Sequence, residues 1–289
     1  MRRITAQPSG RAVDLSPNNP GGSATDRKLP YRKVPCKATA LAHGSPNGIV
    51  FHDGETSHSV QAQERQIGGK DASTLSYPFM VAIAAARKLV GNGAIIESRW
   101  VLTTASALQF TQDALYDVQV GADTFNGAGY WYEILRIYRH PEYIGWDHNI
   151  ALIKLKGHIK YTDTVQPIDL AVEDKDSLEA IMVSYGFNED GTSHLREATY
   201  TLTADDDCVN FLREDVAKQM IIDQQGYCVF PLPGNTQGQW YNDAGAPLVA
   251  NEQLHGLFAF AEHEGGANHG SVATRVFKFT TWIQNTIGS

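Results

Sequence analysis

The sequence of 289 residues predicts an all-β protein, and three observations lead to this fold class. Short apolar segments follow one another with turn-forming residues between them, a pattern typical of β-barrels and β-sandwiches. The segments fall into two sets, and the region 156–176 between the sets is charged and rich in turn residues. Hydrophobic residues make up 42% of the chain, which is enough for a sizeable core.

The strands are predicted from these apolar segments in chain order. The first set comprises the segments 79–86, 93–96, 100–104, 117–121 and 132–138. The second set comprises the segments 180–185, 197–203, 227–230, 247–250, 254–260 and 271–274. Alternating turn signals at this spacing favour closed or packed antiparallel sheets.

Two helices are predicted in the second half of the chain. The region 205–220 is predicted to be helical, with Phe211, Leu212 and Val216 on one apolar face. At the end of the chain, apolar residues recur at helical spacing before the stop signal Gly288, which predicts an amphipathic helix over about 275–287.

Residues 1–65 are predicted to be a flexible N-terminal extension. They are rich in Pro, Gly, Ser, Asn, Asp and His, and such a composition buries too little apolar surface to offset the entropy of ordering. Two interpretations stay open: an expression-vector remnant over the first twenty or so residues, and a pro-segment that ends at Arg65. The globular part is then 66–289. Its first set of strands lies at about 66–165, and its second set lies at about 179–274.

The charge of the chain excludes several classes of partner. The formal net charge is −8, whereas nucleic acids and anionic membranes are bound by basic surfaces. No apolar run approaches the roughly 18 residues of a membrane-spanning helix. Met1-Arg2-Arg3 is not followed by an apolar stretch, so no signal peptide is visible. Either such a peptide has been removed, or the chain is cytosolic.

Several segments together resemble one protein family. They are QIGGKDA (66–72), NGAIIESRWVLTTASA (92–107), HPEY (140–143), NIALIKL (149–155), VQPI (165–168), SYG (184–186) and YNDAGAPLV (241–249). In this order they resemble the trypsin and chymotrypsin (S1) family of serine proteases over residues 66–287, with the greatest similarity to insect members. The resemblance implies two six-stranded antiparallel β-barrels with a C-terminal α-helix.

The resemblance also locates the three catalytic positions of the family. That mechanism needs a hydroxyl nucleophile, an imidazole that takes its proton and a carboxylate that orients the imidazole. This sequence has Ser106 in place of the imidazole, Asn149 in place of the carboxylate and Ala244 in place of the hydroxyl. In addition, Asn242 replaces a glycine that donates an oxyanion N–H in the family. The sequence therefore predicts an inactive serine protease homologue rather than an enzyme.

No substitute catalytic group or metal site is predicted from the histidines. His148 precedes Asn149, but neighbours on a strand point to opposite faces, so His148 is expected to be a surface or packing residue. His255, His263 and His269 lack the spacing of zinc ligands. No cofactor is expected.

The substrate pocket of the family is predicted to be remodelled. By resemblance, its floor and near wall correspond to Gly238, Gln239 and Trp240, and its opposite side corresponds to Ala259, Phe260, Ala261 and Ser271. A glycine at the base offers no carboxylate to a basic substrate side chain. The indole of Trp240 either fills the cleft or is an ordinary core side chain.

The resemblance further implies an activation site. Cleavage after Arg65 would release the amine of Gln66, which would pair with the buried Asp243 as in mature proteases. An N-terminal glutamine can cyclise and lose its charge. Without the ion pair, the pocket loops are expected to stay loose, as in a zymogen.

The three cysteines fit the same family. By resemblance, Cys208 and Cys228 form a disulfide, which favours a secreted protein, and Cys36 is either free or paired between molecules. By resemblance, three family bridges are missing: one at Gly91 with Ala107, one at Ala180 with Ala250, and a pocket-framing bridge that has Trp240 at one end. Each lost bridge removes about 2–4 kcal/mol of stability that packing has to replace.

Three functions remain open at this stage. The first is a secreted, non-catalytic binding or regulatory protein: a cofactor in an innate-immunity type of cascade, a decoy for protease inhibitors or a modulator of a host. Its partner would be a protease, a protease inhibitor or a cascade zymogen. The second is a structural or storage component of a secretion. The third is a hydrolase that uses Ser106 as a displaced nucleophile, for which the sequence places no base within reach.

Overall fold

The computed structural model describes residues 69–186, 192–232, 243–262 and 270–289. In these residues the chain forms two closed antiparallel β-barrels followed by a short C-terminal helix. The predicted fold class is therefore confirmed. The predicted extension, with Cys36, Arg65 and the adjacent Gln66, lies outside the described residues.

The first barrel closes in the order β2-β3-β4-β7-β6-β5. Its strands, after the short β1 (Lys70–Asp71), are β2 (Met80–Ala85), β3 (Lys88–Glu97), β4 (Trp100–Thr103), β5 (Tyr116–Val120), β6 (Tyr130–Arg139) and β7 (Ala151–Leu155). Val81, Ile83, Val101 and Ile153 fill the interior of this barrel. The five predicted strands are confirmed, and β7 is an additional strand within the NIALIKL segment.

The second barrel follows the short β8 (Asp169–Leu170). Its strands are β9 (Ser177–Ser184), β10 (Arg196–Thr203), β11 (Gly226–Pro231), β12 (Pro247–Ala250), β13 (Gln253–Ala261) and β14 (Ser271–Arg275). They pair in the order β9-β10-β11-β14-β13-β12, and β12 pairs again with β9. Met182, Tyr200, Leu248 and Phe258 pack inside this barrel. All six predicted strands of the second set are confirmed.

A third apolar cluster joins the two barrels. Alternate residues of a strand point to opposite faces, so Met80 and Leu102 of the first barrel leave its interior and meet Val183 and Leu257 of the second. The C-terminal helix α3 (Thr280–Ile287) places Ile283 in the same cluster. The predicted helix is confirmed from Thr280 onward, and the residues before it form a 3₁₀ turn (Val276–Phe279).

The predicted helix over 205–220 is corrected by the structure to two short helices. They are α1 (Asp206–Phe211) and α2 (Asp215–Ile222), separated at Leu212, whose backbone is extended with ψ of 147°. The predicted apolar face is also wrong, because Phe211 and Val216 are 41% and 48% exposed while Leu212 is 2% exposed.

A buried carboxylate explains why the helix breaks there. Glu262 is 1% exposed, and its Oε1 accepts the backbone N–H groups of Arg213 at 2.8 Å and Glu214 at 2.7 Å. These N–H groups lie immediately before α2. A negative charge at the N-terminus of a helix compensates its unpaired donors and its dipole. Glu262 therefore holds the start of α2 against the second barrel.

Replacing Glu262 with alanine is expected to lower the free energy of unfolding by about 2 kcal/mol, because two buried N–H groups lose a charged acceptor. Glu262→Gln keeps one acceptor oxygen, so its loss should be smaller. Urea unfolding followed by circular dichroism measures both variants. Equal losses for Ala and Gln, or no loss for either, would contradict the assigned role of the carboxylate.

The disulfide between Cys208 and Cys228 is confirmed, with a Cα–Cα distance of 5.8 Å. It ties α1 to β11. The members of the missing pairs are also neighbours: a Cβ built on Gly91 would lie 2.8 Å from that of Ala107. Ile181 of β9 is paired with Val249 of β12. Ala180 and Ala250 come next along these two antiparallel strands, so they lie opposite each other. In the described part of the chain, no helix is long and apolar enough to cross a membrane.

Candidate functional site at the junction of the barrels

Ser106 and Asn149 are brought together by the pairing of β4 with β7. Thr103 at the end of β4 lies opposite Ala151 at the start of β7. Ser106 follows β4 in a 3₁₀ turn, and Asn149 precedes β7. The backbone N–H of Ser106 donates to Asn149 Oδ1 at 2.8 Å, and Asn149 Nδ2 donates to Ser106 Oγ at 3.0 Å. The two side chains are therefore joined by a reciprocal pair of hydrogen bonds.

Two buried threonines make further hydrogen bonds to this pair. The hydroxyl of Ser106 donates to Thr104 Oγ1 at 3.3 Å, and Thr274 Oγ1 donates to the backbone oxygen of Asn149 at 2.8 Å. Asn149 is fully buried, and Thr104 and Thr274 are too. A hydroxyl and an amide carry no charge at neutral pH and act as neither base nor nucleophile without an activating partner. The network is neutral and hydrogen-bonded throughout.

Ala244 is held at the same place through β3. The backbone N–H of Asn92 donates to the oxygen of Ala244 at 2.8 Å, and Asn92 Oδ1 accepts the N–H of Tyr185 at 2.9 Å. One asparagine of the first barrel thus fixes two segments of the second. A Cβ on the neighbouring Gly91 would lie 2.8 Å both from the Cβ of Ala107 and from the oxygen of Ala244. The backbone oxygen of Ala244 therefore lies near Ala107, in the turn that carries Ser106.

Asp243 is fully buried beside this loop. Its Oδ1 accepts a hydrogen bond from Ser184 Oγ at 2.5 Å, and the same hydroxyl accepts the backbone N–H of Gly186 at 2.9 Å. A Cβ on Gly186 would overlap the carboxylate, so a glycine is required there. Because Arg65 and Gln66 lie outside the described residues, the pairing of Asp243 with a new N-terminal amine stays a prediction.

One side of the predicted pocket is covered by an aromatic side chain. Gly238, Gln239, Trp240 and also Asn242 lie outside the described residues. On the opposite side, Ala259, Phe260 and Ser271 are buried, and Ala261 of β13 is paired with Ser271 of β14. The ring of Trp146 packs on that of Phe260 with a centroid distance of 4.2 Å. Sequence reasoning missed Trp146, for which the only signal was an aromatic residue three positions before Asn149.

A cluster of His140, Glu142 and His148 lies next to Asn149 in the chain. The ring of His140 stacks on that of His148 at 4.6 Å, and His148 Nε2 is 3.0 Å from Glu142 Oε2. The pKa of His140 is lowered from its ordinary value, mainly by burial and also by the neighbouring His148, while the carboxylate of Glu142 acts in the opposite direction.

Two of the histidines considered in the sequence analysis, His148 and His255, lie in different parts of the described structure. His148 lies in a turn with φ of 49° rather than in a strand, and its ring contacts Glu142 while Asn149 contacts Ser106. The strand position predicted for His148 is therefore wrong, and the described contacts of its ring are with Glu142, His140 and Phe279. His255 is buried in β13, and His263 and His269 lie outside the described residues.

The family model named Trypsin matches residues 66–283. The chain belongs to the trypsin family. Among its relatives, the serine protease SP24D of Anopheles gambiae is 27% identical over 275 residues, covering 88% of this chain and 97% of that protein. The mouse brain serine protease neuropsin shares the trypsin-family fold, with a TM-score of 0.66 at 22% sequence identity over 76% of this chain and 98% of the other.

One relative is a protein whose name is not that of a protease, namely haptoglobin. Bovine haptoglobin is 25% identical over 260 residues, which cover 82% of this chain and 64% of haptoglobin. Its match is comparable in identity to that of SP24D. Because mosquito and vertebrate members of the trypsin family match at similar identity, the greater similarity to insect members stays a prediction.

Proposed function

We propose that this member of the trypsin family is a secreted, non-catalytic binding protein that regulates other proteins through contacts of its double-barrel surface. The observation that carries the proposal is the neutral, hydrogen-bonded pair of Ser106 and Asn149. Ala244, at the third catalytic position of the family, has a methyl group and no hydroxyl. A chain with these three residues at the family's catalytic positions has no group that could attack a carbonyl and none that could take its proton. Loss of the complete triad leaves about 10³- to 10⁴-fold acceleration over water, far below a working protease.

The hydrogen bonds of the pair support a settled, non-catalytic arrangement. An aspartate at position 149 would place a charge in a fully buried site, and Ser106 offers no cation to balance it. Asn149 instead donates one hydrogen bond to Ser106 and accepts another. Haptoglobin, a relative without a protease's name, supports the view that the family's fold also serves other purposes. The disulfide between Cys208 and Cys228 supports secretion.

The loop before Asn149 is the part of the described surface that best suits contact with a partner protein. Ile144 is 75% exposed at the base of a turn, where its N–H and its oxygen are hydrogen-bonded to Asp147. Trp146 of the same loop covers Phe260 beside the remnant pocket. Aromatic side chains are enriched at the centre of protein interfaces, and the exposed Ile144 adds apolar surface to this loop. The partner is a protease, a protease inhibitor or a zymogen of a protease cascade.

The purified protein is expected to show no turnover of mixed peptide substrates and no labelling by a serine-directed fluorophosphonate probe. The physical reason is that no described group at the Ser106–Asn149–Ala244 site can act as a base toward a nucleophile. Trypsin at the same concentration is the positive control, and Ser106→Ala is the matched variant. Turnover that disappears in Ser106→Ala would overturn the proposal in favour of a displaced nucleophile.

Binding is tested separately by chemical cross-linking in the source fluid and identification of the partner by mass spectrometry. Ile144→Asp should abolish the cross-linked product, whereas Val172→Asp, at a site with a similar exposure of 71%, should leave it unchanged. Comparison of the intact chain with a chain cleaved after Arg65 shows whether activation controls binding. A protein that forms no specific complex in either form would be a structural or storage component instead.

A further inference from the structure

The structure brings three potential metal ligands together in residues for which the sequence analysis expected no metal site. His140 and His148 each offer a ring nitrogen and Glu142 offers a carboxylate oxygen, and these three atoms all lie within 4.8 Å of one another. We propose that this cluster binds a divalent transition-metal ion, with Zn²⁺ as the ion that fits best. This site is independent of the proposed binding function.

The distance between Glu142 and His148 is close to that between two ligands of a bound zinc ion. Zinc takes imidazole nitrogen and carboxylate oxygen at about 2.0–2.2 Å in tetrahedral sites, so neighbouring ligand atoms lie about 3.3 Å apart. Glu142 Oε2 and His148 Nε2 are 3.0 Å apart, which needs only a small opening to admit an ion. His140 is held parallel to His148 with an angle of 20° between the rings. Because the nitrogen lone pairs of stacked rings do not point to one centre, one imidazole has to rotate out of the stack when the ion binds.

The chemistry of the ligands selects the class of ion. Two imidazoles and one carboxylate suit zinc and other first-row transition metals, whereas calcium and magnesium prefer sites built from oxygen alone. Three protein ligands leave a fourth position for water or for a group of a partner. Glu142 is exposed and the two histidines are half-buried, so an ion can reach the cluster from solvent.

His148 carries costs that a packing role alone does not explain. Its φ of 49° is unusual for a residue other than glycine, and the backbone is held there by a hydrogen bond from its N–H to Gln225 Oε1 at 2.8 Å. Its Nδ1 is buried without a hydrogen-bond partner among the described residues. A buried polar atom without a partner costs free energy, and strained residues concentrate at functional sites.

The cluster has a simpler alternative, in which Glu142 accepts a hydrogen bond from His148 and His140 packs on Trp282. The ring centroids of His140 and Trp282 are 5.1 Å apart. The two possibilities differ in what an added metal does. An ion bound by all three residues would join the two ends of the loop that carries Ile144 and Trp146, since His140 and Glu142 precede the loop tip and His148 follows it.

The test measures Zn²⁺ binding to the full-length chain by isothermal titration calorimetry in a non-chelating buffer. The variants are Glu142→Gln, which removes the charge of an exposed side chain, and His148→Asn, because asparagine tolerates a positive φ. His158→Asn is the control, because His158 is an exposed histidine that contacts Ser98 instead. Each cluster variant should lose one bound equivalent or bind it at least about tenfold more weakly, and the control should match the unmodified chain.

Two further readouts separate this site from histidines elsewhere in the chain. Added Zn²⁺ should raise the unfolding temperature of the unmodified chain and of His158→Asn but not that of the cluster variants, since ligands stabilise the state that binds them. Co²⁺ should give the visible absorption of a four- or five-coordinate site in the same two proteins only. Equal Zn²⁺ binding by all four proteins, or none by the unmodified chain, would overturn the proposal.

Discussion

Gly245→Ala is expected to prevent folding, with a loss of more than about 4 kcal/mol. Gly245 has φ of 79°, a conformation that side chains other than glycine rarely adopt. A Cβ at this position would overlap the backbone oxygen of Asn92 and Oγ1 of Thr103. Those two atoms are hydrogen-bonded to each other at 2.6 Å, and both residues are fully buried.

The neighbours of Gly245 have no room to yield. Asn92 also donates its N–H to Ala244 and accepts from Tyr185, so a shift of Asn92 would disturb both segments of the second barrel. The N–H of Gly245 itself donates to the oxygen of Phe258 at 2.8 Å, which fixes the loop from the other side. The cost of the added methyl group therefore consists of the φ penalty and a steric overlap with fixed backbone.

Substitutions at two other glycines measure the φ penalty and the steric overlap separately. Gly145→Ala has an unfavourable φ of 62° but open space around the added methyl, so it should cost only about 1 kcal/mol. Gly157→Ala has open space and no unusual φ, so it should be nearly neutral. Soluble yield and thermal unfolding by circular dichroism rank the three variants. A folded Gly245→Ala that is as stable as Gly145→Ala would contradict the assigned packing.

The strands could be predicted because their apolar residues are local signals. In β2 every residue is buried, since one face fills the first barrel and the other joins the cluster between the barrels. Such a strand reads as a continuous apolar run between turns. The break between α1 and α2 could not be predicted, because Glu262, which accepts the N–H groups of Arg213 and Glu214, is distant in sequence.

The candidate site likewise has residues that the sequence predicted and contacts that it did not. Ser106, Asn149 and Ala244 were found because each lies in a segment with a recognisable family motif. The contact of Trp146 with Phe260 depends on how a loop of the first barrel lies against the second, which no local pattern encodes. The histidine cluster was missed because His148 adopts a positive φ without being a glycine. The short spacing of His140, Glu142 and His148 was the one signal that could have suggested it.

Asn149→Asp is expected to lower the free energy of unfolding by about 3 kcal/mol at neutral pH. The new carboxylate would be fully buried, and it would keep the N–H of Ser106 as a donor. The hydroxyl of Ser106, which accepts from Asn149 Nδ2, would have to turn away from Thr104 Oγ1 to donate to the carboxylate. Burial without a cation raises the pKa of a carboxyl group above its ordinary value of about 3.9. The folded state then binds more protons than the unfolded state.

The sign of the pH dependence follows from this difference in proton binding. Stability of the Asn149→Asp variant should fall as pH rises above the ordinary carboxyl pKa, and the loss should be complete once pH exceeds the raised pKa of the folded state. Below the ordinary pKa the carboxyl group is neutral in both states, and its O–H can donate to Ser106 Oγ as Asn149 Nδ2 does, so the variant should be nearly as stable as the unmodified chain. Urea unfolding at acidic and at neutral pH, with the unmodified chain as reference, measures the change.

Adding Ser106→His to Asn149→Asp should restore part of the stability, because the imidazole supplies a donor and a positive charge beside the carboxylate. The two changes are therefore expected to be non-additive, with a coupling energy of at least about 1 kcal/mol in a double-mutant cycle. Ser106→Asn is the matched single-site control, since it offers a polar side chain without a charge. Purely additive effects, or a pH-independent cost of Asn149→Asp, would mean that Ser106 and Asn149 do not share one buried network. If the coupling is found, the asparagine at 149 is the neutral partner that a serine at 106 requires, and the two replacements constrain each other.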